Sequence, residues 1–87
     1  MPRYSIIIHR KVSKLLASLE EKLKNRIISA IEKLVDYPLA LRELDAEKLG
    51  GIERTYRIRI GEYRVIFYVD KKEKTIYVTH MGRRESI

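Results

Sequence analysis

Residues 55–70, TYRIRIGEYRVIFYVD, have the alternating pattern of two strands joined by a two-residue turn. The turn is Gly61-Glu62, with glycine at the position where a type II′ hairpin turn needs a positive φ. This turn fixes a register in which residues equally distant from it face each other. The predicted pairs are Ile60 with Tyr63, Arg59 with Arg64, Ile58 with Val65, and Tyr56 with Phe67.

The same register separates an apolar face from a basic face. The basic face carries Arg57, Arg59 and Arg64, and two of these arginines lie directly across from each other. Such a like-charge pair is destabilising unless an anion or a nearby carboxylate relieves it. Because guanidinium groups bind phosphate oxygens bidentately, this face is a candidate phosphate site. The alternative is a solvated outer face in which arginine provides solubility and edge protection.

Length and composition limit the class of protein. The 87 residues predict a single domain, 1–87, with one modest core. The net charge of +7 predicts an acidic partner, either nucleic acid, a ribonucleoprotein surface or an acidic protein. Abundant Lys, Arg and Glu, with a single Asn and no Gln or Cys, suggest a thermophilic source.

The sequence also predicts a cytoplasmic protein without membrane contact. It has no apolar run of membrane-spanning length, and its start, MPRYSIII, lacks the features of a signal peptide. Without cysteine there is no disulfide or thiolate chemistry. The two histidines, His9 and His80, are far apart in sequence and do not have metal-site spacing, so we expect neither a metal nor another cofactor.

The remaining segments predict an α+β domain. Residues 3–8 read as a first strand, and apolar residues at helical spacing predict two helices that form a hairpin. Ser18 and Glu21 fit a capping box that would start the second helix, which ends before Pro38. The helical hairpin is predicted to cover one face of an antiparallel sheet.

The segments flanking the hairpin complete this order. Residues 43–48 are predicted to form an extra helical turn, residues 71–74 a turn, and residues 75–81 a last strand that Gly82 breaks. The fold class is therefore β-α-α-β-β-β, with an N-terminal strand, a helical hairpin and a three-stranded antiparallel meander.

This order of elements resembles the RelE/ParE toxin superfamily, in its RelE-like branch. The resemblance covers nearly the whole chain and rests on KLGG at 48–51, YRIRIGEYRVIFYV at 56–69 and MGRRE at 81–85. It implies a RelE-like microbial RNase-type fold. It also implies a type II toxin controlled by a RelB-like antitoxin protein.

The resemblance further implies a reaction. Members of the RelE branch enter the ribosomal A site and cleave mRNA without a metal, through attack of the 2′-hydroxyl on the adjacent phosphate. Their two basic residues on the first hairpin strand match Arg57 and Arg59, and the arginine on the second strand matches Arg64. The basic residue after the tail glycine matches Arg83 or, preferentially, Arg84. Arginines suit charge stabilisation in such a reaction but are poor general bases.

One departure concerns the aromatic residue that orients the substrate base. RelE-type nucleases carry a tyrosine a few residues after the tail arginine, about where this sequence ends at Ile87. Either the sequence stops short of that tyrosine, another group serves, or activity is weak. Tyr68 on the arginine face is a candidate for stacking on the substrate. His80 is a candidate for acid–base work, although a structural or surface role is the alternative for both residues.

Three functions are compatible with this sequence. The first is a ribosome-dependent mRNA endonuclease whose partners are an antitoxin, the ribosome and mRNA. The second is a ParE-like inhibitor of DNA gyrase that does no chemistry itself. The third is an inactive relative that binds RNA or protein. The four arginines favour the first function, whereas the absent tyrosine favours the second.

Overall fold

The computed structural model describes residues 3–87 of the chain, and the first two residues of the MPRYSIII segment lie outside this range. It contains two α-helices, two short 3₁₀ turns and five strands. The helices are α1 (Arg10–Ser18) and α2 (Glu21–Glu32), and the 3₁₀ turns are Lys33–Asp36 and Leu39–Arg42. The strands are β1 (Ser5–Ile8), β2 (Ala46–Lys48), β3 (Thr55–Ile60), β4 (Tyr63–Asp70) and β5 (Thr75–Arg83). None of the helices among residues 3–87 has the length and hydropathy needed to cross a membrane.

The strands form one five-stranded sheet in the order β1-β5-β4-β3-β2. The meander β3-β4-β5 is antiparallel, as predicted, and all four predicted pairs of the β3-β4 hairpin are confirmed. Gly61 has the predicted positive φ, at +59°. The α+β class and its element types are therefore confirmed for the hairpin, the two helices and the last strand.

The prediction of an antiparallel sheet is wrong for β1, which runs parallel to β5. Ile6 pairs with Ile76 and Ile8 with Val78, so these two side chains of β1 still pack against the core, whereas Ile7 between them is exposed. An alternating pattern specifies which side chains are buried, but it does so equally well for either strand direction. The direction is set by the path of the chain through the two helices.

The predicted helical turn at residues 43–48 is also wrong, because residues 46–48 form the edge strand β2. Ala46 pairs with Ile58 and Lys48 with Tyr56 of β3. The residues AEK favour helices intrinsically, but pairing with an exposed sheet edge overrides that weak preference. This edge strand becomes important for the candidate site.

Two local predictions fail for identifiable reasons. Ser18 does not cap α2, because its hydroxyl donates to the carbonyl of Leu15 at the end of α1, and the N-cap residue is Glu20. Gly82 does not end β5, because it pairs with Arg64 of β4 and the strand continues to Arg83. Glycine weakens a strand but is tolerated where a neighbouring strand provides the pairing.

One face of the sheet packs against the helices and forms the core. The largest fully buried side chains come from both layers, and they are Ile27, Ile31, Leu34, Ile58, Val65, Phe67, Val69, Ile76 and Val78. Tyr56 stacks on Phe67 at the border of this core, with ring centroids 5.3 Å apart. The core fixes the positions of β3 and β4, so their other face presents its side chains on a rigid support.

Candidate functional site

The outer face of the β3-β4 hairpin gathers three arginines. Arg59 lies directly opposite Arg64, and Arg57 lies opposite Ile66. Paired residues of a sheet share a face, and the neighbours of these arginines along each strand (Ile58, Ile60 and Val65) are buried in the core. The arginines therefore point away from the helices, as the sequence predicted.

Two carboxylates come to the same place from the edge of the sheet. Glu47 of β2 pairs with Arg57, and its Oε1 accepts a hydrogen bond of 3.0 Å from the Arg57 Nε and another from a terminal guanidinium nitrogen. Asp45, just before β2, accepts from the Arg59 Nε through Oδ2 at 2.6 Å. The backbone amide of Arg59 also donates to the Asp45 carbonyl at 2.8 Å, which fixes the position of this residue.

Arg64 is held differently. One terminal guanidinium nitrogen donates to the carbonyl oxygens of Gly61 and Tyr63, at 3.1 and 3.0 Å. Among residues 3–87, no carboxylate lies within 4.0 Å of its guanidinium group. Gly82 occupies the paired position on β5, so no side chain from that strand covers Arg64. Arg64 is thus oriented by neutral acceptors while keeping its full charge.

Together these side chains line an open cleft of about 270 Å³, which we call the arginine cleft. Its lining residues are Asp45, Glu47, Arg57, Arg59 and Arg64. Three positive and two negative groups leave an excess of one positive charge. The cleft can therefore bind an anion through directed N–H donors, with Arg64 available and two further guanidinium groups in reach once their carboxylates are displaced.

The carboxylates of the cleft were missed by the sequence analysis, because their segment was predicted to be helical. A signal was nevertheless present, since Asp45-x-Glu47 and Arg57-x-Arg59 have the same spacing and opposite charge. Side chains two residues apart share a face of a strand. Antiparallel pairing of the two segments therefore matches each acid with one arginine.

The two tail arginines contact different parts of the hairpin. Arg83 pairs with Tyr63, and its guanidinium lies over the Tyr63 ring at 5.6 Å, on the side of the helices. The backbone amide of Arg84 donates to the carbonyl of Glu62 in the hairpin turn at 2.9 Å, and its Nε lies 3.6 Å from a Glu62 carboxylate oxygen. Neither residue lines the arginine cleft, although Arg84 lies beside the turn that holds Arg64.

The other predicted site residues lie farther along the sheet. Tyr68 is on the arginine face, is 39% exposed and stacks with Tyr77 of β5, with ring centroids 6.3 Å apart. His80 lines a separate depression together with His9, and its Nδ1 lies 3.0 Å from the Thr79 hydroxyl. Tyr68 therefore extends the face that carries the arginines, whereas His80 is not brought into the cleft.

His9 and His80 do not belong to a metal-binding group within residues 3–87. His9 caps α1 by accepting a hydrogen bond from the amide of Lys11 at 3.0 Å. Within the described range, 3–87, no group of three or more His, Cys, Asp or Glu side chains is placed to hold a metal ion.

Comparisons with known proteins agree on one family. Residues 6–87 match the family model described as the ParE toxin of the type II toxin-antitoxin system parDE. A protein of Methanocaldococcus jannaschii assigned the name toxin RelE1 is 30% identical over 83 residues, which cover 95% of this chain and 92% of that protein.

Two solved structures are similar in fold and sequence. A chain of the RelE–RelB complex of Pyrococcus horikoshii has a TM-score of 0.83 and 32% identity to this chain, with full coverage of both chains. A chain of the RelB–RelE antitoxin–toxin complex of Methanococcus jannaschii has a TM-score of 0.75 and 27% identity, with 92% of each chain covered. A chain of the intact RelBE toxin–antitoxin complex of Escherichia coli has a TM-score of 0.76 and 17% identity, over 92% of this chain and 95% of that chain. At this low identity the similarity supports the fold alone.

Proposed function

This chain belongs to the RelE/ParE superfamily of type II toxins, in its RelE-like branch, and we propose that it is a ribosome-dependent mRNA endonuclease. The observation that carries the proposal is the arginine cleft, where three guanidinium groups converge on one rigid sheet face. The substrate is mRNA in the ribosomal A site, and the reaction uses neither a metal nor another cofactor.

The proposed reaction is an internal phosphoryl transfer. The 2′-oxygen of a nucleotide forms a bond to the adjacent phosphorus, while the bond from phosphorus to the next 5′-oxygen breaks. The proton lost by the 2′-hydroxyl is balanced by the proton gained by the 5′-oxygen. The products are a 2′,3′-cyclic phosphate and a free 5′-hydroxyl. Negative charge grows on the phosphate oxygens along this path, and fixed positive groups lower its energy.

The arginines are assigned to that charge. Arg64 contacts the phosphate first, because it is oriented by backbone carbonyls and has no carboxylate neighbour within 4.0 Å in residues 3–87. Arg57 and Arg59 complete the phosphate contacts from the neighbouring strand. Arg84, next to the hairpin turn, contacts the flanking backbone of the RNA. Guanidinium groups stay protonated at neutral pH, so their role is charge stabilisation and orientation rather than proton transfer.

Tyr68 is proposed to hold a base of the message. It shares the arginine face and stands two places beyond Ile66, which pairs with Arg57. Aromatic rings on a basic surface stack on unpaired bases without sequence preference. Tyr77, stacked behind Tyr68, supports the ring in this orientation. Arg83 and His80, the other predicted substrate-binding residues, also lie outside the cleft, and we assign them peripheral contacts with the RNA.

A RelB-like antitoxin is the proposed protein partner, because the structures similar in both sequence and fold are toxin–antitoxin complexes. Its proposed docking site is the groove between α2 and β3, which has a volume of about 340 Å³. Three basic side chains outnumber two acidic ones in its lining (Arg26, Lys33 and Arg59 against Glu43 and Asp45), so the groove would attract an acidic segment. Isothermal titration with the antitoxin encoded beside this gene should give tight binding that Lys33→Glu weakens and Lys14→Glu, on α1, does not. Equal effects of both substitutions would place the antitoxin elsewhere.

The decisive experiment for function is primer extension on a message translated in a cell-free system. We expect cuts within codons on translated message only, and their loss with Arg64→Ala but not with Arg10→Ala on α1. A protein that reaches the ribosome also acts in the cytoplasm, which is the proposed location.

The second candidate is a gyrase inhibitor of the ParE type, and the description of the matching family model favours it. Intact message in the cell-free system combined with inhibition of gyrase supercoiling would select this candidate. Intact message without gyrase inhibition would indicate the inactive RNA- or protein-binding relative.

A further inference from the structure

Two of the three arginines in the cleft already have an anionic ligand within the protein. We propose that Asp45 and Glu47 act as built-in competitors of RNA phosphate, so that free RNA binds weakly and the cleft fills only where other contacts assist. The inference deepens the proposed function, because it takes RNA as the ligand of the arginine cleft.

The competition follows from the donors that the carboxylates occupy. Glu47 accepts from Nε and a terminal nitrogen of Arg57, which is the edge of the guanidinium that binds a phosphate bidentately. Asp45 lies 2.6 Å from both Nε and a terminal nitrogen of Arg59. A phosphate cannot use these donors until the carboxylates withdraw.

The ion pairs are exposed enough to open. The Asp45 and Glu47 side chains are 57% and 62% exposed, and exposed ion pairs contribute little to stability. Their opening is therefore a modest cost that phosphate contacts can offset when the RNA is held by a larger surface. For an isolated strand in water, the same cost falls entirely on the few contacts of the cleft.

This arrangement provides specificity by lowering the affinity for the wrong partner. Cellular RNA is abundant, and a face with three unpaired arginines would bind it through charge alone. Two carboxylates reduce the excess charge of the cleft to one while leaving Arg64 available. Selection against competitors by unfavourable groups is a general route to specificity.

A positioning role predicts the opposite result. If the carboxylates serve to hold Arg57 and Arg59 in the geometry that RNA requires, their neutralisation weakens RNA binding. If they compete, neutralisation strengthens it. The two roles therefore differ in the sign of one measurable change.

The test compares two double variants with the same charge. Asp45→Asn/Glu47→Gln neutralises the cleft acids, whereas Asp36→Asn/Glu53→Gln neutralises two acids that pair with Arg3 and Arg54 outside it. Binding of a short, fluorescently labelled single-stranded RNA is measured by anisotropy without ribosomes, over a range of salt concentrations. Circular dichroism verifies that each protein is folded. The single variants separate the effect of Asp45 from that of Glu47.

We expect the cleft variant to bind this RNA about tenfold more tightly than the control variant, as for two exposed ion pairs of up to about 1 kcal/mol each. The slope of log affinity against log salt should steepen by about 1.4, for two additional phosphate contacts to a single strand. Addition of Arg57→Ala and Arg59→Ala should remove most of the gain, because the freed donors belong to these two arginines.

Each other outcome is decisive. Equal binding by the two double variants, or weaker binding by the cleft variant, overturns the inference. If the cleft variant shows no gain in RNA affinity but wild-type protein cleaves translated message, the proposed function stands and the competition is absent. If the cleft variant gains affinity but no protein cleaves message, the competition stands and the nuclease activity does not.

Discussion

Arg59 and Arg64 form a directly opposed pair on neighbouring strands, although both carry a positive charge. The sheet tolerates this pair because each guanidinium has acceptors of its own. Asp45 neutralises Arg59, and the carbonyls of Gly61 and Tyr63 accept hydrogen bonds from Arg64. The register predicted that an anion or a nearby carboxylate would relieve this pair, and Asp45 is such a carboxylate.

Asp45→Asn should therefore destabilise the fold through repulsion between the arginines. We expect the free energy of unfolding to fall by up to about 1 kcal/mol at low salt and by less in 1 M salt, because exposed charges are screened. Urea denaturation at both salt concentrations measures this effect, with Asp36→Asn as the matched control. Equal losses for both variants at low salt would contradict the role of Asp45.

Arg64→Lys tests the planar fork rather than the charge. Lysine keeps one positive charge but cannot donate to the Gly61 and Tyr63 carbonyls and to a phosphate with the same fixed geometry. We expect cleavage at saturating toxin to slow by about a hundredfold, the usual loss for one oriented donor, while binding to ribosomes changes little. An Arg10→Lys variant should cleave normally, and normal cleavage by Arg64→Lys would refute this assignment.

The two tail arginines should separate in activity. Arg84 lies beside the hairpin turn, whereas Arg83 lies over Tyr63 on the helix side. Arg84→Ala is expected to reduce cleavage by more than about tenfold, since it removes a contact to the RNA backbone. Arg83→Ala should leave cleavage within about twofold and act on stability instead, through loss of the cation–π contact. The reverse order of effects would assign the tail role to Arg83.

The half-buried Tyr37 should make the free energy of unfolding depend on pH in the alkaline range. Burial and the 3.1 Å hydrogen bond to the Tyr56 hydroxyl raise the pKa of Tyr37 above its ordinary value. The unfolded chain releases this proton near pH 10, whereas the folded chain retains it. The contribution of Tyr37 is thus complete below about pH 10 and is lost as the pH rises toward the folded pKa.

Comparison with Tyr37→Phe isolates that contribution from other alkaline titrations. At pH 8 the variant should be about 1 kcal/mol less stable, for the lost hydrogen bond. Above pH 10 the difference in stability should shrink, because only the wild type carries the phenol of Tyr37. Urea unfolding at pH 8, 9, 10 and 10.5 measures it, and a constant difference across this range would exclude the pKa shift.

The hairpin could be predicted because its local signals agree. Gly61 supplies the turn, the alternation of Ile58 and Val65 supplies the buried face, and together they fix the register. Alternation does not encode strand direction, so β1 was assigned the wrong orientation. The pairing of Ala46 with Ile58 is a tertiary contact, which local helix propensity opposed.

The candidate site was predictable to the same extent. Arg57, Arg59 and Arg64 follow from the period of the hairpin, and the structure brings them to one cleft. Asp45 and Glu47 do not, because they join the cleft only through the edge strand. Which tail arginine approaches the hairpin turn depends on β5 continuing through Gly82, which a sequence rule treats as a strand end.

We propose that the arginine cleft promotes attack of a message's own 2′-hydroxyl on the adjacent phosphate. The most direct test of this role uses ribosomes stalled with a defined codon in the A site and two messages that differ by one atom. One message has a 2′-deoxy nucleotide immediately before the phosphate that is cut. We predict that the all-ribose message is cut to a 2′,3′-cyclic phosphate, that the deoxy message resists, and that Arg64→Ala abolishes the cut. Equal cutting of both messages, or an intact all-ribose message, would contradict this role of the arginine cleft.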